Sequence, residues 1–453
     1  MTSTESVPET IDLGLVPQAS AADTARAVNL VLLPLLARGL IVRRPPIVAG
    51  AEKLDLDRRA VRELQRLRHR YGPGPLRLPL PRDLALVLDP EHAKRVLAES
   101  PEPFRPGNLE KRHALGHFQP YGVLASHGTM RDDRRAYNEK VLDTPSPIHC
   151  LAGDLLTKVR EEADAVLAIG EATGRITWDD FIQRWYRMVR RVVFGDHAAD
   201  EPETTELLGS LRADANWGYL KPKNRRKFER FEVRLLQHLA RAEPGSLAHL
   251  MHETPSSAIT VPHMQIPQWL FAFDPAGIAT WRALALLEGH PEAAARARDE
   301  VAGVDLAQPH ELEYLRACVL ESLRLWPTTP GILRDTTQDT VWESGVLPVG
   351  TGIVIFAPFF HRDDERLEFA DRFEPSLWTG DHDPDAWPFV PFSAGPVVCP
   401  GRNLVLLLTS AMLGSLVQRH EYRLPASRHL DPTASMPSIY DPFHVTFAVR
   451  PLT

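Results

Sequence analysis

Cysteine is scarce in this chain, with only Cys150, Cys318 and Cys399 among 453 residues. Such an odd and sparse set does not build a disulfide framework, so the sequence predicts a reducing, cytoplasmic environment. The chain does not begin with a basic segment followed by an apolar run, and we expect no secretory signal.

Long apolar runs are also missing. The most apolar stretch near the N-terminus, 27–42, is interrupted by Pro34, Arg38 and Gly39. It falls short of the roughly 20 apolar residues that a membrane-spanning helix needs. We expect no stable membrane anchor, and a packed N-terminal helix or a peripheral membrane contact in this stretch.

An excess of positive charge is absent as well. Lysine and arginine total 52 against 59 acidic residues, which leaves a net charge of −7. This balance excludes nucleic acid as a main partner, because phosphates could not be neutralised. One basic stretch, 221–230, is either a solvated surface or a docking face for an acidic partner. No flavin or nicotinamide fingerprint occurs, so electrons for redox chemistry would have to come from another protein.

The periodicity of apolar residues is mainly helical. From 127 to 287 they recur at three- and four-residue spacings, and a long helix is predicted over 266–287. A second strongly apolar helix is predicted over 404–417. These helices account for most of the central and C-terminal chain.

Strand patterns are short and lie towards the two ends. We predict edge strands within 75–89, a hairpin over 346–356 and a strand over 443–449. The fold class is therefore mainly α with small β-sheets (α+β). We predict a disordered segment over 1–20 and one large domain over 21–453.

The segment around Cys399 has an unusual composition. Phe392, Gly395, Cys399 and Gly401 follow the spacing Phe-x-x-Gly-x-x-x-Cys-x-Gly. Glycine lets backbone approach a flat ligand, and backbone N–H groups aimed at sulfur stabilise its anionic form. A helix predicted to start just afterwards also favours a thiolate through its dipole. The segment suits a cysteine that ligates iron.

A second motif, Glu-x-x-Arg, is formed by Glu321 and Arg324. Residues three apart on a helix are neighbours, and a surface ion pair is the ordinary interpretation. Together with the cysteine segment that follows it, this motif resembles the cytochrome P-450 superfamily of haem-thiolate monooxygenases. The segments 276–280, 361–364 and 373–378 agree with the same family.

The resemblance implies haem b, bound between the long central helix and the Cys399 segment. It implies that Cys399 is the axial iron ligand, flanked by Phe392, Gly395 and Gly401. Glu321 and Arg324 would be a buried structural pair. For the haem propionates it implies Arg334 and a basic residue from the helix after residue 127. Arg134 is our first choice there, with His127 and Arg131 as the alternative pair.

For oxygen activation the resemblance implies a threonine, matched by Thr280, that helps to deliver protons, and an oxygen-binding kink that includes Gly277. The acidic residue that usually precedes this threonine is Ala279 here. We expect Pro275 to break the helix, leaving Asp274 either as a substitute acid or as a surface or capping carboxylate.

Two further positions also depart from the family. Val397 stands where a basic residue usually contacts a propionate, and Leu377 stands where an arginine usually joins the Glu-Arg network. The chain is thus identified as a divergent member of the bacterial soluble type.

The implied activity is insertion of one atom of dioxygen into a small or medium apolar substrate, with electrons from a ferredoxin or flavodoxin-like donor. The alternatives are an enzyme that uses peroxide or needs no redox partner, and a non-enzymatic binder of haem or ligand. The expectation that the substrate is apolar depends on the following candidate pocket residues: Phe118, Tyr121, Trp217, Phe273 and Ile332.

Overall fold

The computed structural model describes residues 14–218, 220–380 and 387–452. The helices of the first half are α1 (Ala21–Ala27), α2 (Leu33–Ala37), α3 (Pro45–Lys53), α4 (Leu56–Tyr71), α5 (Pro90–Ala98), α6 (Leu109–Leu115), α7 (Gly128–Val141), α8 (Ala152–Thr173) and α9 (Trp178–Phe194). The remaining helices are α10 (Glu203–Ala215), α11 (Arg225–Leu239), α12 (Leu247–Glu253), α13 (Ile266–Gly289), α14 (Pro291–Glu300), α15 (Glu313–Leu325), α16 (Ala357–His361) and α17 (Arg402–Val417).

The strands are β1 (Leu76–Leu78), β2 (Leu84–Leu86), β3 (Phe104–Arg105), β4 (Arg175–Thr177), β5 (Gly331–Thr336), β6 (Thr340–Trp342), β7 (Gly345–Leu347), β8 (Gly352–Phe356), β9 (His420–Arg423) and β10 (Thr446–Pro451). Most ordered residues are helical, and the strands form three small sheets. The predicted fold class is confirmed.

The largest sheet has the order β1-β2-β8-β5-β3, in which β2 and β8 are parallel and the other pairs antiparallel. The predicted strands within 75–89 are confirmed as β1 and β2, and β1 lies at the sheet edge. The predicted hairpin over 346–356 is wrong. Although β7 and β8 follow each other, β7 pairs with β6, and β8 pairs with β5 and β2. The hairpin is therefore formed by β6 and β7, whereas the partners of β8 are distant in the chain and local turn chemistry could not reveal them.

The N-terminal segment that we predicted to be disordered lies partly outside the described residues, which begin at Gly14. Residues 14–20 run along the sheets: Leu15 pairs with Val346 and Gln18 with Arg77. Val16 is buried between them. Backbone pairing therefore anchors this part of the chain. Our prediction of one domain over 21–453 stays a prediction.

Helix α9 shows how local sequence sets an element that shapes the site. The Thr177 hydroxyl accepts a hydrogen bond from the N–H of Asp180, whose carboxylate accepts one from the N–H of Thr177. This reciprocal capping box satisfies N–H groups that a helix start leaves free. The apolar stripe of α9, including Phe181 and Trp185, then packs against α13.

Helix α13 is the apolar centre of the molecule and packs against α9, α15 and α17. Within the described ranges, the helical segment 262–289 is the one long and apolar enough to cross a membrane, and 78% of the apolar window is buried in the protein. Its apolarity is accounted for by this burial among the surrounding helices.

Candidate functional site

The Cys399 loop connects a short 3₁₀ turn, Gly395–Val397, to the start of α17. The Cys399 N–H donates to the Phe392 carbonyl at 2.9 Å, which closes the loop. Burial raises the pKa of the Cys399 thiol, whereas the Gly401 N–H and the guanidinium groups of Arg135 and Arg402 lower it. A metal ion bound to the sulfur would hold it as a thiolate.

Gly395 is required by its surroundings. Its φ is +66°, and a Cβ there would lie 2.3 Å from the Leu97 carbonyl oxygen at the end of α5. Gly401 has no comparable contact, since its Cβ would meet only Leu142 at 3.8 Å. The two glycines thus differ: Gly395 lets the loop approach α5, while Gly401 presents its N–H to the sulfur.

Arg334 on β5 is buried and has no carboxylate partner among the described residues. Its guanidinium donates to the Ser100 hydroxyl at 2.9 Å, the Ser393 hydroxyl at 3.4 Å and the Leu333 carbonyl at 3.0 Å. Burial, and then repulsion by Arg131, lowers the pKa of Arg334 to about 10. Ser393 belongs to the Cys399 loop, so Arg334 lies beside that loop.

Two further positively charged side chains, those of Lys111 and Arg131, lie near Arg334. The Lys111 amine donates to the Leu333 and Pro106 carbonyls, and burial followed by repulsion from Arg334 lowers its pKa strongly. Arg131 is buried, its Nε has no hydrogen-bond partner, and burial and Arg135 lower its pKa.

The carboxylates near these cations are either exposed or bound elsewhere. Asp132 lies 3.4 Å from Arg131, but its side chain is 70% exposed. Asp335 accepts from Arg82 and from the N–H of Leu109. Three desolvated cations without a buried counter-charge are costly, and an anionic group among them would offset that cost. The two propionates of a haem beside Cys399 fit this arrangement.

The structure places our candidate residues on α7 in different surroundings. Arg134 donates to the Ser126 hydroxyl at 2.6 Å and to the Ile259 carbonyl, and it stacks over the Tyr121 ring. His127 is exposed just before α7. Of the three, Arg131 is the one that influences Arg334 electrostatically. Lys111 was not foreseen, since no sequence motif marks it.

Thr280 is fully buried on α13, and its hydroxyl donates to the Ala276 carbonyl at 3.0 Å. Gly277 adjoins α9, because a Cβ there would lie 3.0 Å from the Trp185 indole nitrogen. That nitrogen donates to the Phe273 carbonyl at 2.8 Å. The indole thus supports this helical turn from outside.

Our expectation that Pro275 breaks the helix is wrong. Helix α13 continues from Ile266 to Gly289 with Pro275 inside it. Proline removes one helical N–H, but the packing of α13 against its neighbours keeps the helix continuous.

Asp274 is held in a polar cluster. The Arg212 guanidinium lies 2.6 Å from one carboxylate oxygen, and the Tyr186 hydroxyl donates to the other at 2.9 Å. Burial, and then the charge of Asp274, raises the pKa of Tyr186. Asp274 is neither a helix cap nor a free surface group, because Arg212 and Tyr186 bind its two carboxylate oxygens.

The Glu321–Arg324 pair is completely buried, with N–O distances of 2.8 and 2.6 Å. Arg324 also donates to the carbonyls of His361, Ala370 and Arg372. Glu321 accepts from the Glu374 N–H at 2.8 Å. Every oxygen and nitrogen of the pair is thus bonded, as a buried pair requires.

Trp378 supplies the donor that we expected to be missing at Leu377. Its indole N–H donates to Glu321 at 2.9 Å. Trp378 lies in the segment 373–378 named in the sequence analysis. Its role as a donor to Glu321 was missed, because no sequence pattern shows that a tryptophan indole can take the place of an arginine guanidinium.

His361 is a further buried link between α15 and the chain leading to the Cys399 loop. Its Nδ1–H donates to the Arg324 carbonyl, and its Nε2 accepts from the Val390 N–H at 2.9 Å. Burial, with the Arg324 charge, lowers the pKa of His361 to about 3, so the ring is neutral.

A family model described as "Cytochrome P450" matches residues 277–442. Cytochrome P450 4ae1 of Drosophila melanogaster is 34% identical over 138 residues, which cover 30% of this chain and 28% of that protein. Drimenol monooxygenase of Persicaria hydropiper is 29% identical over 36% of this chain and 35% of its own length. The alignments thus span about a third of the curated relatives.

Solved structures extend the likeness to nearly the whole fold. A cyanobacterial CYP120A1 structure with retinoic acid has a TM-score of 0.71 at 17% identity and covers 97% of this chain and 100% of its own. The matched segment 277–442 contains Thr280, the Glu321–Arg324 pair and Cys399. With its own cysteine loop and buried pair, the segment 277–442 matches the cytochrome P450 family model, and the fold of the chain is similar to that of solved cytochrome P450 structures.

Proposed function

We propose that this protein is a haem-thiolate monooxygenase that inserts one oxygen atom of dioxygen into a small or medium apolar substrate. One observation carries the proposal: the Cys399 loop lies beside three desolvated cations that lack a buried counter-charge. Cys399 would hold haem iron, and Arg334, Arg131 and Lys111 would hold the propionates. The bound haem supplies iron chemistry with dioxygen, in which a thiolate ligand favours O–O cleavage.

Proton delivery in this proposal depends on Thr280. Its hydroxyl both accepts and donates hydrogen bonds, and the Ala276 carbonyl orients it. Ala279 offers no acid, and Asp274 is bound by Arg212 and Tyr186. Protons would therefore reach Thr280 through water rather than from an adjacent carboxyl group.

The substrate is proposed to be apolar. Phe118, Phe273 and Ile332 are buried, whereas Tyr121 and Trp217 are 41% and 54% exposed and contribute less to an enclosed pocket. Apolar molecules also accompany similar structures, namely retinoic acid in the cyanobacterial protein and abiraterone in a zebra fish protein.

The electron donor is proposed to be an acidic ferredoxin or flavodoxin-like protein in the cytoplasm. Arg402 is exposed at the start of α17, next to Cys399, where it would attract acidic groups. The basic stretch 221–230 is a weaker candidate. Lys221 and Lys227 pair with Asp214, and Arg230 pairs with Glu203.

The test compares Cys399→Ser with Cys150→Ser, which alters an exposed cysteine elsewhere. The wild type and Cys150→Ser should give the thiolate-type carbonyl spectrum after reduction, and Cys399→Ser should not. Survival of that spectrum in Cys399→Ser contradicts the proposal.

Turnover distinguishes the alternatives. With reduced ferredoxin and dioxygen, the wild type should oxidise apolar probes. Turnover with peroxide alone would indicate a peroxide-using enzyme, and no turnover with either oxidant would indicate a binding protein.

A further inference from the structure

A small cavity of about 30 Å³ lies between the N-terminal segment, α13 and the turn after α15. It has room for one or two water-sized groups. Its charged lining residues are Arg38, Arg43, Asp57 and Arg282, while Ile278 forms part of its apolar wall. The cavity thus contains three guanidinium groups against one carboxylate.

Only one of these arginines is neutralised. Arg38 forms a two-pronged ion pair with Asp57, with N–O distances of 2.6 and 2.9 Å. Arg43 donates to the carbonyls of Gly39 and Thr328, and Arg282 donates to those of Tyr440 and Trp326. Within the described ranges, neither Arg43 nor Arg282 has a carboxylate at ion-pair distance.

The acids that lie nearest are bound elsewhere. Those that influence Arg43 or Arg282 from a distance are Asp274, Asp57, Asp441 and Glu52. Asp57 is already paired with Arg38. Asp274 pairs with Arg212, Glu52 with Arg428, and Asp441 with His444. Among the described residues, the charges of Arg43 and Arg282 are therefore left without an ion-pair partner.

Burial and mutual repulsion act on both arginines. Burial, followed by Arg43, lowers the pKa of Arg282 to about 9, and burial, followed by Arg38, lowers that of Arg43 to about 10. A buried cation without a counter-charge lowers stability, and an anion in the cavity would offset that loss.

The cavity shares α13 with the proposed active site. Ile278 and Arg282 each lie two residues from Thr280 along α13, so their side chains leave the helix on a different face from the Thr280 hydroxyl. Arg43 joins the N-terminal segment to Thr328, shortly after the Glu321–Arg324 helix. A ligand group held here would thus lie beside the helix that carries Thr280.

We propose that this cavity binds the carboxylate group of an organic acid substrate through Arg43 and Arg282. The inference rests on the proposed function for the position of the rest of the substrate. A carboxylate suits the site because its two oxygens match the cavity size and the planar fork of arginine.

The test measures binding of straight-chain carboxylates and their chain-matched primary amides to the haem-loaded full chain, by calorimetry and by the Soret shift. The wild type should bind each acid at least about tenfold more tightly than its amide, since charge-assisted hydrogen bonds are stronger than neutral ones. Arg43→Gln should lose this preference while its affinity for the amide stays unchanged.

Arg44→Gln is the matched control, because Arg44 lies next in sequence but stacks on Trp217 and donates to the Ala37 carbonyl. It should keep the preference. Arg43→Lys should retain part of it, which guards against a general effect of substitution.

Equal binding of acids and amides by the wild type, or an unchanged preference in Arg43→Gln, overturns the inference. Binding of formate or chloride without any larger acid, an adventitious ion only, also overturns it. A protein without the thiolate spectrum that still prefers acids in calorimetry refutes the proposed function alone. A protein with that spectrum but no preference refutes the cavity assignment alone.

Discussion

Trp378 and Glu321 show how a single side chain compensates for a departure from the family pattern. The indole N–H is one of several donors to a carboxylate that is fully buried. Removing one donor to a buried charge leaves part of it unsatisfied. The role of Trp378 is therefore structural, and it is open to a direct stability measurement.

Trp378→Phe should lower the free energy of unfolding by about 1.5–3 kcal/mol, the range for hydrogen bonds to charged groups. The measurement is urea denaturation. Trp387→Phe is the control, because that indole donates at 2.7 Å to the neutral Phe360 carbonyl. It should cost about 0.5–1.5 kcal/mol. Equal losses of unfolding free energy in both variants would mean that the charge of Glu321 does not strengthen its hydrogen bond with Trp378.

Arg131 and Arg134 can be separated by their effect on haem retention. Arg131→Met should speed haem transfer to an acceptor protein by about tenfold, since one charged hydrogen bond to a propionate is lost. Arg134→Met should leave that rate unchanged, because its guanidinium is bound to Ser126 and Ile259. The reverse result would restore our first choice from the sequence.

At the scale of elements, the approach of the Cys399 loop to α5 depends on Gly395. Gly395→Ala should lower the free energy of unfolding by more than about 1–3 kcal/mol, which is the cost of backbone strain alone. The additional loss is expected because the new Cβ also lies 2.3 Å from the Leu97 carbonyl oxygen. Haem content and thermal unfolding are the measurements.

Gly350→Ala is the control for Gly395→Ala. Gly350 has a φ of +81°, yet no atom lies within 4 Å of its Cβ position. It should show the strain alone and keep full haem content. If the two variants behave alike, the contact with α5 does not shape the loop.

At the scale of the whole molecule, His361 links stability to pH. Its pKa is about 3 in the fold against 6.5 for an unperturbed histidine, so the unfolded chain takes up the proton first. Its contribution is fully present above pH 6.5 and is lost as the pH falls towards 3. The expected slope is about 1.4 kcal/mol per pH unit.

Free energies of unfolding measured between pH 7 and pH 4 should therefore fall less steeply in His361→Gln than in the wild type. His252→Gln, at an exposed histidine, should follow the wild-type slope. A parallel pH dependence in His361→Gln would show that His361 does not remain neutral in the fold.

The sequence by itself determined the helical class, the two strands within 75–89, the cysteine loop and the Glu321–Arg324 motif. These features depend on local spacing, since residues three or four apart share a helix face and glycine marks backbone that other residues rarely adopt. The family resemblance followed from the same local patterns.

Only the tertiary structure decided which distant groups meet. It paired β8 with β5 and β2, kept α13 continuous through Pro275, and placed Arg131 and Lys111 beside Arg334. Burial and charge depend on neighbours that are far away in the chain, so the sequence pattern cannot report them. The cation group beside Cys399 and the arginine-lined cavity thus exist only in the folded protein.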